Sequence, residues 1–380
     1  MYIALLKLLM KILNLALFIK KCVVFLKFPK KSLTSIHFCA KSSASLNITS
    51  TFMKKTSILT NSLISFGFAA SVSASTITWV PVGDPGNAAD TTGRGAVGYN
   101  YSITKFEFTN AQYANFLNSV DLTGANPYNL YNASMANVYG GIRFISSNSS
   151  GSKYVVKPNF GDKPVNYVSW FDAARVANWV NNGATVGADT ETGAYTLNGA
   201  TSGSTVARNA GAAVFLPSQD EWYKAAFYKS GGTSAGYWEY ATQSETAPGT
   251  VTADAFGVGS AGSSGNFANY LSGAVWNSAN GNVTSVGTNG GRSAYGTFDM
   301  IGNVREVVET TPGTNAVWRG GSFVGSLAQN SATSGFQSVV ATNENHISGF
   351  RLASVPEPGS TIPLLTLFAL GMAKSRRRKA

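Results

Sequence analysis

The chain has 380 residues, 44% of them hydrophobic and 12% aromatic, enough to close a large core, while charged residues reach only 12%. With 40 Gly and 12 Pro spread through such a chain, the composition excludes simple disorder, collagen, a coiled coil and a polytopic membrane protein. The formal charge of +11 belongs to the ends: ten Lys and no acid precede residue 76 and five Lys/Arg lie in 374–380, so the residues between carry 14 basic against all 18 acidic groups, a net charge of −4, and a nucleic-acid partner is not expected.

The first segment, Met1 to Phe28, is apolar but interrupted by Lys7, Lys11, Lys20, Lys21 and Lys27. It reads either as a membrane-surface helix or, the reading preferred here, as part of an upstream extension of the gene model over residues 1–52, with translation starting at Met53. From there Met53-Lys54-Lys55, the apolar run Ile58 to Ala70 and the small-x-small site Val72-Ser73-Ala74 stand in the order of a secretory signal peptide, residues 53–75. That order implies signal peptidase as a processing partner and export across the inner membrane. Both cysteines, Cys22 and Cys39, precede this cleavage site, so the exported body has no disulfide, no thiolate nucleophile and no cysteine metal ligand.

The body, residues 76–354, signals three short helices. Thr109 with Gln112, Ser169 with Asp172, and Ser218 with Glu221 each place a capping hydroxyl three residues before an acid or amide, the capping-box spacing. Apolar stripes follow: Tyr113, Phe116, Leu117 and Val120; then Phe171, Ala174, Ala177 and Trp179/Val180, stopped by Asn181-Asn182-Gly183; then Trp222, Ala225 and Ala226. Strands are predicted over 103–108, 317–323 and 348–353. The Gly/Ser/Asn-rich stretch 241–298 reads as a long ordered insertion rather than a linker, because Phe256, Phe267, Tyr270, Leu271 and Trp276 recur in it. So much loop without a disulfide calls for internal fasteners, for which metal ions are the usual substitute.

Past the body, Val355-Pro356-Glu357-Pro358-Gly359-Ser360 is followed by apolar residues 361–373 and by Lys374-Ser375-Arg376-Arg377-Arg378-Lys379. This resembles the PEP-CTERM sorting signal over residues 355–380. About thirteen apolar residues fall short of a ~30 Å hydrocarbon core, and the basic cluster would hold the tail at the cytoplasmic face. The resemblance implies recognition by an exosortase and a final place at the cell surface or outside the cell; an ordinary transmembrane tail anchor is the alternative.

Seven blocks of the body, in order, carry a second resemblance: Thr78-Trp79-Val80-Pro81-Val82-Gly83, residues 103–113, residues 163–170, residues 215–222, residues 296–304 with Glu306, Arg319-Gly320-Gly321-Ser322-Phe323, and Gly349-Phe350-Arg351-Leu352. Together they resemble the formylglycine-generating enzyme, or sulfatase-modifying factor, domain. That resemblance implies one α+β domain of C-type-lectin-like topology, low in regular structure and rich in long loops.

The chain departs from the family where the family's chemistry sits. The family's oxidases hold copper between two cysteines, because a soft monovalent ion needs soft ligands; the matching positions are Gly325 and Asn330. Arg305 and Val307 replace tryptophans beside the Gly-Asn element. The superfamily's iron branch needs three histidines, and the body has only His346, which reads as a loop-tying residue. Neither copper nor iron is therefore expected. Calcium is the expected structural cofactor, carried by family position at Ile301, Gly302, Val304 and Glu306, with Asn269 and Tyr270 as part of a second site that lacks its acid; a salt bridge from Glu306 to Arg305 or Arg351 is the alternative. Ser322 lacks a nucleophile-elbow pattern and reads as part of the Gly-Gly turn. The pair Asp220/Glu221 reads as solvated capping acids in a helix's first turn. Trp238, Tyr240, Trp276 and Trp318 read either as core or as a sugar-binding face.

These readings converge on an exported, non-catalytic binding or structural module, its partner an exopolysaccharide or a surface protein. The alternative is an enzyme with altered, non-copper chemistry, whose cleft candidates are Glu306, Arg319, Ser322 and Arg351.

Overall fold

A computed structural model of the protein describes residues 76–355, apart from 312, 334 and 335. The upstream extension, the signal peptide and the PEP-CTERM segment, whose first residue alone is described, lie outside the described residues.

The three helices start where the capping residues predict. They are α1, Asn110–Val120, α2, Trp170–Asn181, and α3, Gln219–Phe227. Each box closes in both directions: Gln112 N donates to Thr109 Oγ1 at 3.4 Å while Thr109 N donates to Gln112 Oε1 at 2.9 Å. The Ser169/Asp172 and Ser218/Glu221 boxes repeat the pattern, satisfying donors that a helix's first turn otherwise leaves without partners. α1 buries the predicted Tyr113, Phe116 and Leu117. α2 is buried from Trp170 to Trp179 on every side, Asp172, Arg175 and Asn178 included, so its predicted one-sided stripe is an underestimate.

Among the described residues there are also twelve short strands. In chain order they are β1 (Trp79–Val82), β2 (Tyr101–Thr104), β3 (Ile142–Phe144), β4 (Tyr154–Val156), β5 (Val214–Phe215), β6 (Gly249–Thr250), β7 (Phe267–Ala268), β8 (Arg305–Val308), β9 (Ala316–Arg319), β10 (Phe336–Val339), β11 (Ser348–Phe350) and β12 (Ala353–Ser354). One antiparallel sheet has the order β1-β2-β12-β5, and a second has the order β10-β9-β8-β11 with β11 parallel to β8. Pairs β3/β4 and β6/β7 complete an α+β fold dominated by loops.

The predicted strands are cut short for identifiable reasons. After Thr104 the chain leaves the sheet, its hydroxyl donating to Phe106 O and closing a turn that leads into the Thr109 cap. β9 ends at Arg319 because Gly320 and Gly321 take φ of +92° and +70°, a left-handed backbone that a strand cannot continue through. The predicted strand over 348–353 divides at Arg351 and Leu352, where the chain crosses from the second sheet into the first. In the 241–298 insertion, Tyr270 and Trp276 are buried but Phe256, Phe267 and Leu271 are exposed, so two of the five predicted anchors hold it. Trp276 packs on Phe160 in a small second core with Val283, Val304 and Phe323.

Candidate functional site

Strands β8 and β9 set Glu306 opposite Arg319, and β9 sets Phe336 of β10 opposite Arg319 in turn. The four cleft candidates separate at this point. Glu306 and Arg351 pair with each other: Arg351 Nε reaches Glu306 Oε2 at 2.5 Å and Nη2 reaches Oε1 at 2.6 Å. Trp222 Nε1 adds a third donor at 2.6 Å. Both residues are sealed in the core, at 1% and 0% exposure. Arg351 also donates to the carbonyls of Thr104 and Phe298, so it ties three segments together.

Arg319 is different. It is buried, donates through Nη2 to Gln219 Oε1 at 3.0 Å, and leaves Nε without a partner. Its guanidinium stands 5.5 Å from the Tyr223 ring centre and 5.4 Å from that of Phe336. Burial first, and then repulsion from Arg94, bring its pKa down to about 10. Asp220 attracts it without forming an ion pair and accepts a hydrogen bond from Gly95 N.

A cavity of about 250 Å³ opens here, lined by Arg305, Trp318, Arg319, Gly321, Gln329, Phe336 and Gln337. Arg305 is hydrogen-bonded to Gln337 and stands 5.7 Å from the Trp318 ring centre. Among the described residues neither Arg305 nor Arg319 belongs to an ion pair. Sequence reasoning named Arg319 but missed Arg305, Gln329, Phe336 and Gln337 as lining residues. The one available signal was a basic residue in place of the family's tryptophan.

Beneath the cavity lies the Gly-Gly turn. Ser322 Oγ is buried without a partner, so Ser322 serves the turn through its backbone, its carbonyl accepting from Gly325 N at 2.8 Å. Gly325 and Asn330 bracket a short 3-10 helix, Leu327–Asn330. Asn330 Nδ2 donates to Ser326 O, and Asn330 Oδ1 and Gln329 Oε1 are buried without donors.

The two expected calcium positions differ. At Glu306 both carboxylate oxygens already face the Arg351 cation, so the residues there do not fit a calcium ion. Asn269 is fully buried, its Nδ2 donating to Asn282 O, Thr284 Oγ1 and Asn303 Oδ1, while its Oδ1 has no donor. That orphaned oxygen suits a hard cation. The Tyr270 carbonyl accepts from Gly273 N, and its hydroxyl donates to Pro248 O. Among the described residues no three His, Cys, Asp or Glu side chains are grouped to hold a metal.

His346 sits among the rings of Tyr139, Phe323 and Tyr167, and its carbonyl accepts from Asn166 Nδ2. Glu221 caps α3 as predicted but is buried rather than solvated, because Arg208 bridges it to Glu309. Of the four aromatics, Tyr240, Trp276 and Trp318 are buried, and Trp238 is half-buried beneath Lys229. They do not form one open face.

The family model described as the sulfatase-modifying factor enzyme 1-like domain matches residues 76–355. The chain belongs to this sulfatase-modifying factor family. No curated protein sequence matches it at a significant level. Among solved structures the domain is similar to CarF, at 18% identity and TM-score 0.42, covering 74% of this chain and 99% of that one. It is also similar to Treponema denticola variable protein 1, at 16% identity and TM-score 0.41, covering 73% and 95%. A third is PvdO from Pseudomonas aeruginosa, at 15% and 0.37, covering 74% and 92%. No helix of this sulfatase-modifying factor domain, among the described residues, is long and apolar enough to cross a membrane.

Proposed function

We propose that this sulfatase-modifying factor domain is an exported, non-catalytic binding module of the cell surface or its exopolysaccharide layer, and that it has lost copper-dependent oxidation. The observation that carries this reading is the pair Gly325 and Asn330: neither position offers sulfur, and no cysteine follows residue 39. What remains beside them is a cavity with two arginines and amides, a surface that binds rather than a centre that transfers electrons. Signal peptidase and exosortase are its proposed processing partners, and calcium its proposed structural ion, at Asn269 rather than at Glu306.

The test is copper titration of the exported form, with a cysteine peptide as the oxidation substrate. Sub-stoichiometric copper and no aldehyde product are the expected results; one tightly bound copper per chain with turnover overturns the proposal. Millimolar calcium is expected to raise Tm, as a ligand of the native state does, and Asn269→Ala to abolish the shift. An unchanged Tm removes calcium from the account.

A further inference from the structure

We propose that β10 is the contact through which two copies of this chain pair, each laying its Phe336–Val339 edge antiparallel against the other's across a two-fold axis at Ser338. This goes beyond the binding-module reading and does not depend on it.

The two four-stranded sheets end in β1, β5, β10 and β11. An edge strand presents unpaired N–H and C=O groups, and native proteins ordinarily close it with proline, charge or cover. β1 carries Pro81, which has no N–H to offer. β5 is closed by side chains: Val214 N donates to Asn181 Oδ1 at 3.1 Å, and Leu216 N, just beyond it, donates to Tyr195 Oη at 2.9 Å. β11 is buried at all three residues, and its Phe350 carbonyl accepts from Phe108 N at 2.9 Å. β10 has none of these protections. Phe336, Gln337 and Ser338 are exposed, the strand has no proline, and residues 320–343 include no charged side chain. Among the described residues the backbone of Phe336–Val339 has no strand partner other than β9.

The side chains point to a second copy as the occupant. Continued one residue past the strand, the alternation of an extended chain puts Phe336, Ser338 and Val340 on one face. Phe336 and Val340 are 57% and 56% exposed, two large apolar side chains placed symmetrically about Ser338. Antiparallel pairing about Ser338 sets each Phe336 opposite the other copy's Val340, which makes two aromatic–β-branched cross-strand pairs. It also joins the β10-β9-β8-β11 sheets of the two copies into one of eight strands. An edge without charge can meet its own image, because no residue repels its symmetry mate. The cations beside β10, Arg305 and Arg319, contact Gln337 and Phe336 at its first turn of sequence. Antiparallel order separates the two Phe336 ends by four residues, roughly 14 Å, beyond the ~8 Å screening length at physiological salt. A foreign strand would leave the symmetric placement of Phe336 and Val340 without a role.

The experiment is sedimentation equilibrium of the exported form from micromolar to sub-millimolar concentration, a range set by one short strand a side burying less than the roughly 1,200 Å² of a standard interface. A reversible monomer–dimer equilibrium is expected. Ser338→Lys and Ser338→Glu each place like charges opposite one another at the two-fold axis and are expected to weaken the dimer about tenfold. An equimolar mixture of the two variants is expected to dimerise at least as tightly as wild type, since the introduced charges are then opposite in sign. Ser338 is exposed, so both variants should keep the wild-type Tm. Phe336→Ala and Val340→Ser are uncharged probes of the same register and are expected to weaken the dimer severalfold. A wild type that stays monomeric throughout, charged variants that dimerise as wild type does, or a mixture no tighter than either variant alone overturns the proposal. None of these results alters the copper titration, so failure of the pairing is distinguishable from failure of the binding-module reading.

Discussion

Glu306 and Arg351 are buried in the domain, and each is sealed from water with the other as its charge partner. Removing one side of a buried pair strands the other, at a cost of about 3–5 kcal/mol. Arg351→Met should therefore lower stability by that amount in urea denaturation, and the double variant Arg351→Met/Glu306→Gln should recover a large part of it. A second buried acid behaves through protons. Burial, and then the neighbouring Glu344, push the Asp172 carboxyl well above its ordinary range, and burial raises Glu344, which hydrogen-bonds Asp172 and accepts from Asn132 Nδ2. The folded state thus holds protons that the unfolded chain releases, so this pair's contribution to stability declines as pH rises from the ordinary carboxylate range through the raised values. His346 acts in the opposite sense, since burial lowers its pKa. The readable quantity is the difference from Glu344→Gln: between about pH 5 and pH 7 the wild-type Tm should fall relative to that of the variant. An unchanged difference across the range would refute this account.

Among the elements, the helices carry their own instructions and the strands do not. Ser169→Ala removes one half of a closed capping box and should cost about 1 kcal/mol, read as a lower urea midpoint at constant slope. Thr109→Ala should behave alike. These boxes were legible because a cap and its partner are three residues apart, a relation any local reading contains. The strands were poorly legible because they are two to four residues long and owe their existence to distant partners, as Ala353 does to Ile103 and Phe215. The site divides in the same way. Arg319, Glu306, Ser322 and Arg351 were identifiable from motif blocks, but nothing local says that Arg351 takes Glu306 away from Arg319. Nor does anything local place Gln337 opposite Trp318, which is a matter of register between β9 and β10.

At the scale of the molecule, β12 lies between β2 and β5, so two residues at the end of the domain complete the sheet begun at Trp79. A chain ending at Val355 should keep the full Tm, whereas one ending at Leu352 should lose cooperative unfolding, with calorimetry as the measurement. Among the described residues the backbone groups of β2 and β5 that face β12 have no other strand partner, and an open edge exposed during folding invites association with other chains.

The same seam makes closure of this sheet a late event. A growing polypeptide can cap its helices early, yet the β1/β2 pair gains its third strand only when residues 353–354 have been made, and contacts so far apart in sequence form slowly. Because β1 and β12 both run antiparallel to β2, the chain enters this sheet at the Thr104 end of β2 and leaves it at the Ser102 end, so a pull applied across the domain's two connections would load one narrow strand along its length.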